Sequence, residues 1–346
     1  MNLQKITYEI TYRCNLRCKY CFFWGEHIRT QNKKNILADH ELSFNEIKDI
    51  LLPQIEEAGV SMINLTGGEV LMRKDISDVI FLFRKSGLRL NIETNLSLNL
   101  SNRDRLLETL TENCQRVWVS IDGVEERHDL IRGAQGAFRQ TISNLSYLSK
   151  RSARPEQVLV NCVVMPENQD SLSKIPPLLH SIGVNEIRYQ LLTWDPLGQF
   201  NSSNPTATQS ARNYSGLHGQ PVSTLNGSMV YEQLMQAKDI AESLGMKIYF
   251  FPEVQFLSPR LIDSWYSGAY KGELWKNCPK LSTRVRIDPY GNIYPCMNYN
   301  FGNIREGTIL SAWNSDLGRN FQNKVLKSGP LPGCVTCCKQ EMKSIP

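Results

Sequence analysis

The chain has 346 residues, room for one large α/β unit and a smaller appendage, and its 41% apolar and 21% charged residues are ordinary for a globular protein. Its 39 Lys and Arg against 34 Asp and Glu leave +5, too small and dispersed a surplus to indicate a nucleic-acid partner. No run approaches the ~18 apolar residues of a membrane span, and the opening MNLQKITYEITYRCN lacks a signal peptide's basic segment and apolar core, so a cytoplasmic protein without a membrane partner is expected.

Along the chain, short alternating runs predict strands at Lys5–Tyr12, Met62–Thr66, Leu88–Asn95, Val117–Asp122, Val158–Val164 and Glu186–Leu192. Helical patterns at Ser43–Ala58, Asp75–Lys85, Asp104–Glu112, Gln140–Lys150 and Ser171–Ile182 separate them. Strand alternating with helix at this spacing means βαβ units and a parallel sheet. One face of each strand is apolar, as with Ile63 and Leu65, Leu90 and Ile92, or Val117 and Val119. The other carries Asn64, Thr66, Asn91, Glu93, Asn95, Ser120, Asp122, Asn161, Arg188 and Gln190. A closed eight-stranded barrel fills its interior with branched apolar side chains, so a polar inner face suits a partial (β/α)6 TIM-like barrel with a wet cavity.

Residues 1–195 would form this core. Residues 196–227, rich in Ser, Asn, Gly, Thr and Pro, would be a linker or an active-site lid. A helix from Met229 to Leu244 and a strand from Lys247 to Phe251 fill a bridging stretch, 228–260. The remaining 261–346 read as a loop-rich, Cys-rich C-terminal domain. Ten cysteines are the unusual count, and in a reducing compartment they indicate metal ligands or catalytic groups before disulfides. Three cluster at the front and five at the back. Cys114 and Cys162 lie between them and read as core residues.

The front cluster, Cys14-Asn-Leu-Arg-Cys18-Lys-Tyr-Cys21, sits just past the first strand, at the end where parallel α/β folds place their ligands. Three thiolates can hold three irons of a [4Fe–4S] cube, which normally takes four cysteines, and so leave one iron open. A structural zinc site is the alternative, with His27 the nearby candidate for its fourth ligand.

The triplet, with aromatic Tyr20 before its last cysteine, resembles the signature of the radical S-adenosylmethionine (radical SAM) superfamily. Further matches follow in order. Gly67-Gly68-Glu69 resembles the glycine-rich turn that meets the cofactor's amino group. Asn95, and Ser120 with Asp122, resemble the polar groups that contact its methionyl and ribose parts. Arg132-Gly133, with Gly136 and Phe138, resembles a segment whose Arg reaches a carboxylate, and Val164 stands where relatives contact adenine. Taken singly these would be a turn, a loop signal or a surface charge.

At the back, Cys278 and Cys296 flank Ile287-Asp288-Pro289-Tyr290-Gly291-Asn292-Ile293-Tyr294-Pro295, which reads as two strands around a Pro-Tyr-Gly-Asn turn. Gly302-Asn303-Ile304, a helix near Ile309–Ser315 and Cys334-Val-Thr-Cys337-Cys338 follow. This resembles the auxiliary-cluster extension called SPASM in its long form and Twitch in its short form. Cys278, Cys296, Cys334 and Cys337 supply four thiolates for one auxiliary [4Fe–4S] cluster, or alternatively for zinc. The long form's further cysteines are not expected, because eight residues follow Cys338. Cys338 would exchange with Cys337 as ligand, donate hydrogen to a substrate radical, or be inert.

The resemblance implies an enzyme that cleaves S-adenosyl-L-methionine reductively and uses the 5′-deoxyadenosyl radical to remove hydrogen from a substrate carbon. A flavodoxin- or ferredoxin-type electron donor is implied as well. The substrate class would be a ribosomally made peptide, to be cross-linked, oxidised or epimerised, or a small molecule such as an aminosugar. Thirteen residues precede Cys14, so a leader-binding domain is expected on a separate protein if at all. The insert Phe22–His40 would border the cofactor or be a solvated loop. A non-catalytic iron–sulfur or zinc protein is the reading outside enzymes.

Overall fold

The computed structural model describes residues 3–21, 40–99, 103–193, 224–296, 299–330, 334–337 and 340–343. Cys338, nearly all of the Phe22–His40 insert and most of the 196–227 segment lie outside the described residues.

Strands Lys5–Thr11 (β1), Met62–Gly67 (β2), Arg89–Thr94 (β3), Arg116–Ser120 (β4), Val158–Val164 (β5) and Glu186–Leu191 (β6) pair in parallel, each with the next in sequence. The connections carry a helical run over 44–57 (α1), then Ile76–Lys85 (α2), Arg103–Asn113 (α3), Glu126–Arg132 (α4), Ala137–Arg151 (α5) and Ile175–Ser181 (α6). Crossovers between adjacent parallel strands are almost always right-handed, so a sheet wound always in one direction carries its helices on one face. The expected apolar faces are buried there: Ile63, Leu65, Ile92, Val117, Val119 and Cys162 are inaccessible. In α1, Ser43 Oγ accepts from the Glu46 amide while the Glu46 carboxylate accepts from the Ser43 amide, closing a capping box. Its middle turn, Ile47–Leu51, widens to a π-helix just before Pro53, whose ring nitrogen has no hydrogen to give to an α-helical bond.

The opposite face is concave. Lys5 Nζ of β1 lies 5.8 Å from the Trp118 ring of β4. Flat strands spaced about 4.8 Å apart would hold these two elements three spacings from each other. Arg188 of β6 reaches the same ring at 4.7 Å. Asn91 Nδ2 donates to Asn64 Oδ1 across β2 and β3, and Thr66 pairs with Glu93. Thr66, Glu93, Ser120, Asn161, Arg188 and Gln190 are half-buried, as a wet polar trough requires.

Both edges of this sheet are extended. The helix Gly227–Ser243 (α7) leads to Lys247–Phe251 (β7), which pairs in parallel with β6. At the other edge the C-terminal chain returns. After Pro259–Ser267 (α8) and Trp275–Asn277 (β8), Arg284–Ile287 (β9) pairs in parallel with β1. Asn292–Tyr294 (β10) and Gly302–Asn303 (β11) follow antiparallel, giving ten strands. The helices Ile309–Trp313 (α9) and Asp316–Ser328 (α10) come next, and Glu341–Met342 (β12) pairs with β8. The fold is thus a partial barrel of six βα units with a Cys-rich C-terminal extension. The loop-rich expectation beyond Leu261 is corrected by α8 and α10. Each starts on a serine side chain, Ser258 or Ser315, and α10 carries Leu317, Phe321 and Val325 at helical spacing.

The extension also docks on α1. Gln54 donates to the Ile304 carbonyl and accepts from the Ile309 amide. Arg305 pairs with Glu46 at 2.7 Å and donates to the Tyr290 and His40 carbonyls. The Arg305 hydrogen bond is the main cause that takes Glu46 from an ordinary value near 4.5 down to about 2. A depressed carboxylate contributes stability above its unfolded pKa and loses it as pH falls through the folded one. Acidification from pH 5 to pH 2 is therefore expected to loosen this contact, read as lower hydrogen-exchange protection at the Ile304 and Ile309 amides relative to the intrinsic rate at each pH. Glu46→Gln should exchange faster at neutral pH and lose that pH dependence.

Candidate functional site

Parallel pairing brings the C-terminal ends of β1 to β7 to one edge, and the front cysteines stand there. The loop after β1 is held by the turn after β2: the Gly68 amide donates to the Thr11 carbonyl and the Glu69 amide to the Arg13 carbonyl, both at 2.7 Å. The approach explains the glycines. A Cβ on Gly67 would stand 2.3 Å from the Thr11 oxygen, and one on Gly68 would stand 2.2 Å from the Arg13 oxygen. Gly67 also has φ of +142°, a conformation L side chains rarely adopt. Glu69 is fully buried. Its carboxylate accepts from the Leu71 amide, from Thr94 Oγ1 at 2.6 Å and from the Asn95 amide at 2.7 Å, tying the end of β2 to the end of β3. Burial raises its pKa, and these donors oppose the rise without cancelling it.

Asn95 then reaches the cysteine loop. Its Nδ2 donates to Asn15 Oδ1 at 3.0 Å and lies 3.8 Å from Cys14 Sγ, while Asn15 donates to the Ser97 carbonyl. Cys14 Sγ also accepts from the Leu16 amide. Asn15 was not singled out by the sequence reading, although its place directly after the first cysteine is a usable signal.

On the far side of the loop lies a buried ion pair. Arg132 Nη2 meets Asp122 Oδ2 at 2.8 Å, Tyr20 donates its hydroxyl to the same oxygen at 2.7 Å, and the guanidinium lies 5.5 Å from the Tyr20 ring. Arg132 Nη1 donates to Cys18 Sγ at 3.7 Å. Asp122 Oδ1 accepts from the Val163 amide, and its backbone amide donates to His128 Nδ1, an imidazole that burial pushes down to about 3 and keeps neutral. Asn168, which the sequence reading also missed, donates to the Asp122 carbonyl. Burial works against the charge on Arg132, but Asp122, Tyr20 and Cys18 together outweigh it and hold the guanidinium's pKa above its ordinary value. Tyr20, Asp122 and Arg132 are thus brought together, and the carboxylate nearest Arg132 is Asp122. The Arg17 and Lys19 amides donate to the Arg132 and Ile131 carbonyls, so α4 clamps the loop.

Ser120 lies half-buried on the concave face. Val164 does not face it: its side chain is buried beside Tyr189 and Leu234, and its carbonyl accepts from Tyr266.

The donors present suit an iron–sulfur cube. Leu16, Cys18 and Ala137 form an apolar cluster separate from the main core, edged by Cys14, Tyr20 and Cys21. Burial pushes the Cys14 thiol up to about 12 and raises that of Cys18. A thiolate there needs a compensating positive centre, which metal supplies, and the N–H donors aimed at both sulfurs favour the charged form. Among the described residues no three Cys, His, Asp or Glu side chains converge as ligands of a single ion would. The thiolates of a cube stand farther apart, one on each iron.

At the back, Asp288 Oδ1 accepts from the Tyr290 and Asn292 amides and builds the expected turn. The β12–β8 pairing sets Glu341 and Met342, a few residues past Cys337, beside the strand that leads into Cys278. Burial first, and then Cys334 and Cys296, push Tyr299 up to about 12. Phe321 of α10 packs on that ring, 4.2 Å between centroids. Cys114 and Cys162 are core residues, as expected.

A parallel sheet with a cysteine loop at its ligand edge and further cysteines in the C-terminal extension suits an iron–sulfur α/β enzyme. A radical SAM superfamily profile matches residues 8–175, and the iron–sulfur cluster-binding domain SPASM matches 278–338. The AdoMet-dependent heme synthase of Methanosarcina barkeri (strain Fusaro / DSM 804) is 30% identical over 92% of this chain and 84% of that protein. The antilisterial bacteriocin subtilosin biosynthesis protein AlbA of Bacillus subtilis (strain 168) is 23% identical over 90% of this chain and 59% of AlbA. Among solved structures, Streptococcus suis SuiB bound to S-adenosylmethionine aligns with a TM-score of 0.64 and 14% identity, covering 93% of this chain and 68% of SuiB. SuiB bound to its precursor peptide SuiA gives the same score at 13% identity, covering 93% and 67%. The chain belongs to the radical SAM superfamily and carries a SPASM domain. Its cofactors are accordingly S-adenosyl-L-methionine, the [4Fe–4S] cluster that binds it and an auxiliary iron–sulfur cluster. Among the described residues no helix is long and apolar enough to cross a membrane.

Gly68→Ala tests the close approach under the loop. The added methyl meets backbone, which cannot rotate away, so a loss of about 2–4 kcal/mol is expected by urea unfolding, together with reduced iron content after anaerobic reconstitution.

Proposed function

We propose that this enzyme modifies a ribosomally made peptide, forming a cross-link, an oxidised carbon or an inverted stereocentre. The observation that carries the reading is the polar concave trough, lined by Thr66, Glu93, Ser120, Asn161 and Arg188 from five strands and ending at the cysteine loop. Half-buried hydrogen-bonding groups over such a length suit an extended chain rich in amides. AlbA, named for a bacteriocin's biosynthesis, and SuiB, solved with a precursor peptide, support that choice.

Cys14, Cys18 and Cys21 would hold the cube, with the Gly67-Gly68-Glu69 turn toward the amino group of S-adenosylmethionine and Asn95 and Ser120 toward its methionyl and ribose parts. Bound there and reduced through the cube, the cofactor supplies a 5′-deoxyadenosyl radical that takes hydrogen from a substrate carbon. Cys278, Cys296, Cys334 and Cys337 would hold the auxiliary cluster as electron acceptor, which suits an oxidising maturase. Cys338 would exchange with Cys337, donate hydrogen or stay inert. A flavodoxin- or ferredoxin-type donor, a separate leader-binding protein and a cytoplasmic setting complete the reading.

A second substrate class has its own support. The M. barkeri heme synthase aligns along most of both chains at 30% identity, which favours a tetrapyrrole among small molecules.

Anaerobic incubation with dithionite and S-adenosylmethionine is expected to yield 5′-deoxyadenosine. Cys14→Ala, Cys18→Ala or Cys21→Ala should abolish it, whereas Cys278→Ala should retain it and lose the finished product. Deuterium passing into 5′-deoxyadenosine from a labelled precursor peptide carries the first reading. Transfer from a tetrapyrrole and none from peptides would replace it with the second, and no 5′-deoxyadenosine at all would reject both.

A further inference from the structure

We propose that Arg132 and Asp122 together set the reduction potential of the front iron–sulfur cube, with Arg132 making it easier to reduce and Asp122 limiting that effect. The proposal rests on the reading that Cys14, Cys18 and Cys21 hold the cube. It treats Arg132 as a positioning residue that acts through Cys18.

The geometry is built for it. Arg132 is 5% exposed, and its guanidinium is shared between one thiol sulfur and one carboxylate, at 3.7 Å from Nη1 to Cys18 Sγ and 2.8 Å from Nη2 to Asp122 Oδ2. Tyr20, the residue before the last cysteine, donates to that same carboxylate oxygen and lies against the guanidinium. Asp122 is inaccessible and further fixed by the Val163 amide. Cation, anion and sulfur therefore keep fixed separations in a site with little water to screen them.

Adding an electron to a cube makes it more negative, and part of that charge falls on its thiolates. Hydrogen bonds to those sulfurs and nearby net charge are the protein's means of moving cluster potentials. A buried guanidinium that donates to Cys18 stabilises the reduced state and raises the potential. A carboxylate on the guanidinium's other side, also buried, pulls it back. The two substitutions must then act with opposite sign, which a purely mechanical clamp on the loop would not produce.

The test is a redox titration of the reconstituted full chain followed by electron paramagnetic resonance. It uses the signal that changes on adding S-adenosylmethionine, with the auxiliary cluster's signal as internal reference. Arg132→Gln is expected to lower the front midpoint and Asp122→Asn to raise it. Each should change the reduction equilibrium at least threefold, about 28 mV at 59 mV per tenfold for one electron, while the auxiliary midpoint stays in place. Should Arg132→Gln lose its iron, Arg132→Gln with Asp122→Asn removes both charges together, and its midpoint should fall below that of Asp122→Asn alone. Shifts of one sign, no shift, or loss of the front iron from the double variant and from Arg132→Lys alike would overturn the inference. A wild-type protein with no signal responsive to S-adenosylmethionine would instead reject the cube on these cysteines.

Discussion

Two backbone hydrogen bonds, from Gly68 to Thr11 and from Glu69 to Arg13, are the constraint on which the site depends. They fix the path of the chain between β1 and Cys14, and they form only because neither glycine has a side chain to push the two backbones apart. Glu69 extends the same tie by taking three donors into one buried carboxylate, which locks the end of β2 to the end of β3. From β3, Asn95 reaches back to Asn15 and Cys14. The cysteine loop is thus held from both sides, by neighbouring strands on one and by α4 on the other.

The support also divides the work of the polar residues. Gly67, Gly68, Glu69, Asp122 and Arg132 spend their conformations or hydrogen bonds on protein partners, so their first contribution is to the shape of the site. Asn95 does the same through Asn15, whereas Ser120 stays half-buried on the trough. Preorganisation of this kind matters where a reactive species must be kept from water and from wrong partners.

Much of this was legible beforehand, and for physical reasons. Period-two runs such as Ile63-Asn64-Leu65-Thr66 disclosed both the strand and its two faces, because alternation survives whatever the rest of the chain does. The Cys14, Cys18 and Cys21 spacing is local and needs no tertiary knowledge. The partnership of Arg132 with Asp122 and Cys18 was hidden, because it joins α4 to a strand end and to a loop far away in sequence. Val164 ends its strand as expected, and its position in the alternation turns the side chain toward α7. The C-terminal strands Arg284–Ile287 and Asn292–Tyr294 were readable as a hairpin. Their attachment to the edge of β1 was not, since pairing between distant strands leaves no periodic trace.

That attachment bears on how the molecule comes to be made. β1 leaves the ribosome well before its second neighbour, β9, which lies far downstream in the sequence. Throughout elongation the outer edge of β1 is a row of unsatisfied amides and carbonyls, a surface prone to pairing with another chain. Contacts of such long sequence separation also form slowly. Biogenesis therefore includes an interval in which the front loop is exposed beside an open sheet edge, an opportunity for cluster delivery and equally one for aggregation.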